Sequence, residues 1–367
     1  MEDNLLFNPG PTNVHDMVKQ ALITKNMSHR EPMFTEVLAR VNSQLLELLD
    51  GDGTHSSVMF VASGTGANDA MINAIEGKIL AINHGRYSKR LCDIATRYQI
   101  SLIEYCIPEL ETIDLLKLES FLQNDQSITH IMLVHHETTT GMLEPLREIG
   151  NIAAKYNKLL IIDGVSSVGG HEFSLKKDNV AFCSINSNKC FESLPGVSFV
   201  LARNRDLPKL KNKARSFYLD LFCQWERQQK QEVPYTAAIQ LVFAMDAALK
   251  RFLAEGLNNR IRRYNFLAKH LRSGLSRMGF RLLLLPEKFQ SNILTLIELP
   301  KNLEYKELHD ILYNQGITIY TDEVSLNKRR FFIATMGAIS ETEIDYFLNK
   351  LHQAINEMIE EKKISYV

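Results

Sequence analysis

The chain reads as an α/β protein, with a mostly parallel seven-stranded sheet covered by helices and a smaller α+β part behind it. Two observations predict this. From about residue 57 to residue 202, short apolar runs alternate with stretches of helical spacing, the rhythm of parallel strands joined by crossover helices. After Arg205 the pattern turns helical and charged, and then mixes short strands with helices.

Taken in order, Val58 to Val61, Ile79 to Ile82, Ser101 to Tyr105, His130 to Val134, Leu159 to Ile162, Val180 to Ile185 and Ser198 to Ala202 are the expected strands. Between them, Ala67 to Ile75 and Pro145 to Tyr156 place apolar residues three and four apart and end near Gly or Asn, as amphipathic helices do. Two long helical patterns follow, Thr236 to Leu253 and Asn258 to Met278. The remainder predicts strands at Arg281 to Leu285, Asn292 to Ile297, Thr318 to Tyr320 and Arg330 to Ala334, and helices at Tyr305 to Asn314 and Glu341 to Glu360. The expected division is a large domain over 15–250, with 1–14 and 251–367 forming a small one.

Composition narrows the partners. Among 367 residues, 42 Lys+Arg balance 43 Asp+Glu, so no net charge draws the chain to nucleic acid or an anionic membrane. Five scattered cysteines without a C-x-x-C pair argue against a disulfide framework or structural zinc and fit a reducing cytoplasm. No apolar run reaches the roughly 20 residues of a spanning helix, and Met1 to Gly10 lacks the pattern of a signal peptide.

Chemistry gathers where strands should end. SGTGA, Ser63 to Ala67, follows a strand and opens a helix, so its N–H groups and the Ser63 and Thr65 hydroxyls suit a phosphate at a helix N-terminus. A plain strand-to-helix turn has the same look. The string lacks a Walker lysine, and Asp69 stands where a dinucleotide fingerprint needs its third glycine. Asp163 closes one apolar run, and Lys189 follows another in a stretch poor in charge. Pyridoxal phosphate chemistry needs such a pair: an amine to bond the cofactor's aldehyde and a carboxylate for its ring nitrogen. A capping aspartate and a surface lysine are the structural alternatives. HETTTG, His136 to Gly141, brings hydroxyls and a carboxylate to the same edge, and a metal reading of His135 and His136 lacks a second ligand cluster. Tyr87 follows another strand and suits stacking on a planar ring, or a place in the core.

NPGPTN (Asn8 to Asn13), SGTGA, HETTTG, IIDGVSS from Ile161 and NSNKCFESLPG (Asn186 to Gly196) occur in that order. Together they resemble the class V, fold-type I pyridoxal phosphate-dependent aminotransferases over essentially the whole chain. HHETTTGML and SFYLDLFCQW (Ser216 to Trp225) are similar to the branch that moves the amino group of 2-aminoethylphosphonate to pyruvate. The resemblance implies that Lys189 carries the cofactor, Asp163 pairs with the pyridinium nitrogen, Tyr87 stacks on the ring and Thr138 sits by the ring hydroxyl. It assigns Thr65, Gly66 and Ala67 to the phosphate, places Ser187 and Asn188 beside the lysine, and brings Pro11, Thr12 and Arg30 to the substrate. It further implies a homodimer in which Tyr235 and Thr236 reach the neighbouring cofactor, and an amine donor and a 2-oxo acid as substrates; the balanced charge and short apolar runs add the expectation of no nucleic acid and no membrane.

One position departs from the family pattern. Where the family carries a substrate-gripping arginine in F-R-I-(G/A)-x-(I/L)-G, this chain reads FFIATMG, with Phe332 in the arginine's place. Arg330 lies two residues earlier on the same strand face and Arg329 is adjacent, so either is a candidate to replace it, although a strand-start surface charge reads the same way. The alternatives to the aminoethylphosphonate reading are an alanine–glyoxylate or serine–pyruvate type enzyme, a divergent class V enzyme with another donor, and a catalytically silent cofactor-binding dimer.

Overall fold

The computed structural model describes residues 4–301 and 303–362. Strands β1 (His55–Phe60), β2 (Lys78–Asn83), β3 (Ser101–Cys106), β4 (Ile128–Val134), β5 (Leu159–Asp163), β6 (Val180–Asn186) and β7 (Ser198–Arg203) make one sheet in the order β1-β7-β6-β5-β4-β2-β3. Only β7 runs antiparallel to its neighbours. Each of the seven expected strands is present, because runs such as LLIID in β5 are apolar on both faces and must be covered on both. Side-chain alternation divides them. Leu160 and Ile162 enter one apolar cluster, with Val41, Leu45 and Phe252, whereas Ile161 enters the other, with Ala67, Met71 and Leu91.

The crossover helices Gly64–Ile72, Arg86–Arg97 and Leu146–Lys155 return the chain so that the C-terminal ends of β1, β2, β4, β5 and β6 share one edge. Ligands bind at that edge in open α/β sheets. A third apolar cluster belongs to the chain's two ends: Phe7 packs with Leu271, Phe331, Ile333, Phe347 and Leu351. There Leu294–Glu298 pairs with Arg330–Ala334, and Leu5–Leu6 pairs in parallel with Ile317–Thr318. This separate core supports our proposed division into a large domain over 15–250 and a small one from 1–14 and 251–367.

The apolar run Arg281–Leu285 is not a strand. It makes a single bridge, Leu282 to Ile297, and Leu284 is 53% exposed. The segment runs along the outer edge of the Leu294–Glu298 strand, and among the described residues no second strand pairs with it from the other side to hold it extended. Thr318–Tyr320 shortens likewise to Ile317–Thr318, and Tyr320 meets Phe332 through an isolated bridge. Among the described residues no helix is long and apolar enough to cross a membrane.

Candidate active site

Lys189 lies in the turn after β6, only 9% exposed. Its Nζ donates to Ser166 Oγ at 2.6 Å, and that hydroxyl is 3.0 Å from Thr138 Oγ1. Burial lowers the amine's pKa, partly opposed by the negative charge of Asp163. Gly10 lies against the lysine stem: its φ is +122°, and a Cβ there would stand 3.2 Å from both Lys189 Cε and Cγ. Only glycine tolerates both conditions. Thr12, buried beside it, places its hydroxyl 3.4 Å from the Lys189 carbonyl oxygen, while Pro11 is exposed.

Asp163, the last residue of β5, is buried beneath this edge. Its Oδ1 accepts from the Val165 N–H at 2.9 Å and its Oδ2 from Asn68 Nδ2 at 2.6 Å. Asn68 is fixed in turn by Ser184, whose hydroxyl donates to Asn68 Oδ1 at 2.6 Å. Burial raises the Asp163 pKa, against the pull of the Val165 N–H, the Asn68 amide and the Lys189 charge.

The phosphate-type turn differs in detail from expectation. The N–H groups of Gly66 and Ala67 both donate to the Ser63 carbonyl, at 2.9 and 3.2 Å. Among the described residues it is the N–H groups of Gly64 and Thr65 that have no partner at the start of the Gly64–Ile72 helix. A first helical turn bonds back to its cap, so the open donors are the earlier ones. Arg90 supplies a cation here: one Nη lies 3.3 Å from Thr65 Oγ1, and its guanidinium carbon is 4.8 Å from the Tyr87 ring centre. The same ring centre is 5.8 Å from Lys189 Nζ. Tyr87 is held by Glu137, a fully buried carboxylate that accepts from the N–H groups of Tyr87 and Ser88 and from Thr139 Oγ1 at 2.7 Å. Burial alone holds neighbouring His135 neutral, at about 3.

Ser187 turns out to serve the lysine loop. Its hydroxyl contacts the Leu194 and Val197 carbonyl oxygens at 2.5 and 2.9 Å, while Asn188 Oδ1 is buried without a partner. Phe332 is 1% exposed and packs with Cys190, Tyr264 and Leu294. Arg330 is already paired, 3.0 Å from a Glu109 oxygen that Lys328 also reaches. No hydrogen bond or ion pair among the described residues joins Arg30, Tyr235 or Thr236 to Lys189. Arg30 and Tyr235 instead line a cavity of about 650 Å³ with Phe217 and Arg227. Asn68, Ser166, Ser184 and Arg90 escape a reading of the sequence. The signal for Asn68 was a polar residue on the apolar face of a helix, between Ala67 and Met71.

A family model described as Aminotransferase class-V matches residues 11–325. A 2-aminoethylphosphonate–pyruvate transaminase of Klebsiella pneumoniae is 31% identical over 359 residues, covering 96% of this chain and 97% of the relative. One of the same name from Lysinibacillus sphaericus is 32% identical, covering 98% and 97%. Among solved structures, an alanine–glyoxylate aminotransferase from Nostoc superposes with a TM-score of 0.89 at 26% identity, covering 97% of this chain and 96% of that one. An aspartate aminotransferase of subgroup IV from Thermus thermophilus reaches 0.87 at 25%, covering 97% and 100%. The match spans the loop at Thr12, the turn at Thr65, the strand ending in Asp163 and the turn carrying Lys189, and on that ground the chain belongs to the aminotransferase class-V family.

Proposed function

We propose that this aminotransferase takes the amino group of 2-aminoethylphosphonate, or of a similar small amine, to pyruvate with pyridoxal phosphate as cofactor, giving phosphonoacetaldehyde and alanine. The observation that carries the reading is likeness over nearly the full length to relatives bearing that name. The residues fit the cofactor: two unpartnered N–H groups, Thr65 and Arg90 suit a phosphate, Tyr87 suits a ring face, Asp163 suits a pyridinium nitrogen and Lys189 an aldehyde. Bound there, pyridoxal phosphate supplies an electron-withdrawing ring that spreads the charge left on a substrate carbon after proton loss.

The protein's own groups do the rest. Asp163, kept from water, would favour a proton on the cofactor's ring nitrogen through its negative charge. Lys189, whose burial favours the neutral amine, is a nucleophile nearer neutral pH than a surface lysine and afterwards the base that moves a proton at Nζ. Ser166 and Thr138 orient that nitrogen through the 2.6 and 3.0 Å contacts.

Homodimerisation completes the proposal. Arg30 and Tyr235 share a cavity with Phe217, which is 86% exposed, and this cavity does not include Lys189; Thr236 is the residue after Tyr235. In this reading they serve a second copy's site, bringing Arg30 as the substrate's anion partner, and the pairing of Arg330 with Glu109 supports it. The free cysteines support a cytoplasmic setting. The buried Phe332 favours one second reading, a divergent class V enzyme with another amine donor. Half-reactions decide between them: 2-aminoethylphosphonate, alanine and serine are added singly, and conversion of the cofactor's absorbance to the amine form is followed. The proposal expects conversion with 2-aminoethylphosphonate; conversion with alanine or serine alone sinks it.

A further inference from the structure

Glu192 stands three residues beyond Lys189 in a conformation that side-chain-bearing residues avoid, with φ +56°. A glycine would adopt it without strain, so the side chain has to account for the residue. It is 5% exposed, and its carboxylate accepts from Arg263 Nη2 and from the Tyr264 hydroxyl, both at 2.7 Å. Both donors lie on the Leu257–Arg277 helix, outside the sheet that carries the lysine. From the same helix, buried Arg260 donates to the Cys190 carbonyl at 2.8 Å. The Glu192 N–H donates to the Lys189 carbonyl, also at 2.8 Å. Two successive carbonyls of the lysine turn are therefore held by one cluster.

The circuit closes through the chain's other end. Arg263 Nη1 donates to the Gly337 carbonyl at 3.0 Å, and the Gly337 N–H donates to the Tyr264 hydroxyl at 3.2 Å. Gly337 has φ +104°, and a Cβ there would stand 2.8 Å from the Cβ of Thr12, the residue whose hydroxyl approaches the Lys189 carbonyl. Glu255 joins the cluster at 2.7 Å from Arg260 and 2.8 Å from Arg263, so two guanidinium groups face two carboxylates. That balance is what permits burial.

We propose that Glu192 is a positioning residue for Lys189, setting where the amine points by tying its turn to the Leu257–Arg277 helix, to Gly337 and thereby to the Thr12 loop. The inference rests on Lys189 being the amine that bonds the cofactor. Its test uses purified apoprotein to which pyridoxal phosphate is added, following the rate at which the absorbance of lysine-bound cofactor appears and the visible circular dichroism per bound cofactor. Glu192→Ala is expected to slow attachment by about ten-fold to a hundred-fold and to shrink the dichroism. Glu192→Gln, which keeps an acceptor for Arg263 and Tyr264, is expected to restore both. If the alanine variant does not fold, Tyr264→Phe removes one of the two donors without stranding a charge, and is expected to slow attachment several-fold. Unchanged attachment and dichroism in the alanine variant, whatever its melting temperature, overturns the proposal. So does the same result in Tyr264→Phe, or a glutamine variant as slow as alanine. No absorbance even in the unmodified protein would instead overturn the assignment of Lys189, and this inference with it.

Discussion

At the scale of single residues, the energetics of Lys189 follow from its surroundings. An ammonium removed from water loses hydration, and the hydroxyl of Ser166 replaces only part of it. The folded-state pKa accordingly lies below the value of the unfolded chain. Folding then carries a full penalty while the amine is charged in both states. The penalty fades as pH rises from the folded value toward 10.5, because over that interval only the unfolded chain still binds the proton. Lys189→Met, which keeps the stem and drops the charge, should therefore melt higher than the unmodified apoprotein near pH 7, with the gap narrowing toward about pH 10. Thermal melts of the two apoproteins across that range check this, and a gap that stays constant or widens refutes it.

Among elements, the most telling contact is between the HETTTG turn and the Arg86–Arg97 helix. Glu137 presents a buried carboxylate to the first N–H groups of that helix, the place where unpaired donors and the helix dipole favour negative charge. Gly85 makes room for it, since a Cβ there would come within 2.6 Å of the carboxyl carbon. Glu137→Ala should remove about 1–2 kcal/mol of stability and weaken cofactor binding, because Tyr87 is the first residue so held. Chemical denaturation and cofactor titration test the two effects together; lost stability with unaltered binding would separate Tyr87 from the site. The sequence suggested a carboxylate at this edge without its target, because the helix it caps lies some fifty positions away in the chain and meets it only across the sheet.

For the whole molecule, the decisive feature is that the predicted site residues fall into two groups. Thr12, Thr65, Tyr87, Thr138, Asp163 and Lys189 converge, whereas Arg30 and Tyr235 line a separate cavity and Thr236 follows Tyr235 in the chain. If those three serve a second copy, a chain defective at Lys189 and one defective at Thr236 should complement each other. Lys189→Ala and Thr236→Ala, each nearly inactive, should regain activity when mixed under conditions of subunit exchange, since one hybrid site then holds an intact lysine and an intact threonine. Activity that stays at the level of the separate variants would put Thr236 within its own site or outside catalysis.

The linear order of residues determined much of this protein. Apolar runs long enough for a strand and covered on both faces specify the seven strands and their crossovers. The residues that follow those runs, Thr65, Thr138, Asp163 and Lys189, are delivered to one edge by that topology alone. Local periodicity and turn chemistry act over a few positions, and they are legible because their causes are adjacent in the chain. Only the tertiary structure decided which groups are spent and which are free. Gly66 and Ala67 give their N–H groups to Ser63 and leave Gly64 and Thr65 open; Arg330 is neutralised by Glu109. Asn68 reaches Asp163 across 95 positions of chain, and the Glu192 cluster joins residues from the sheet, a distant helix and the loop at Gly337. Hydrogen bonds and ion pairs depend on distances of a few ångströms between segments whose separation in sequence carries no record of their meeting, so no local pattern can announce them.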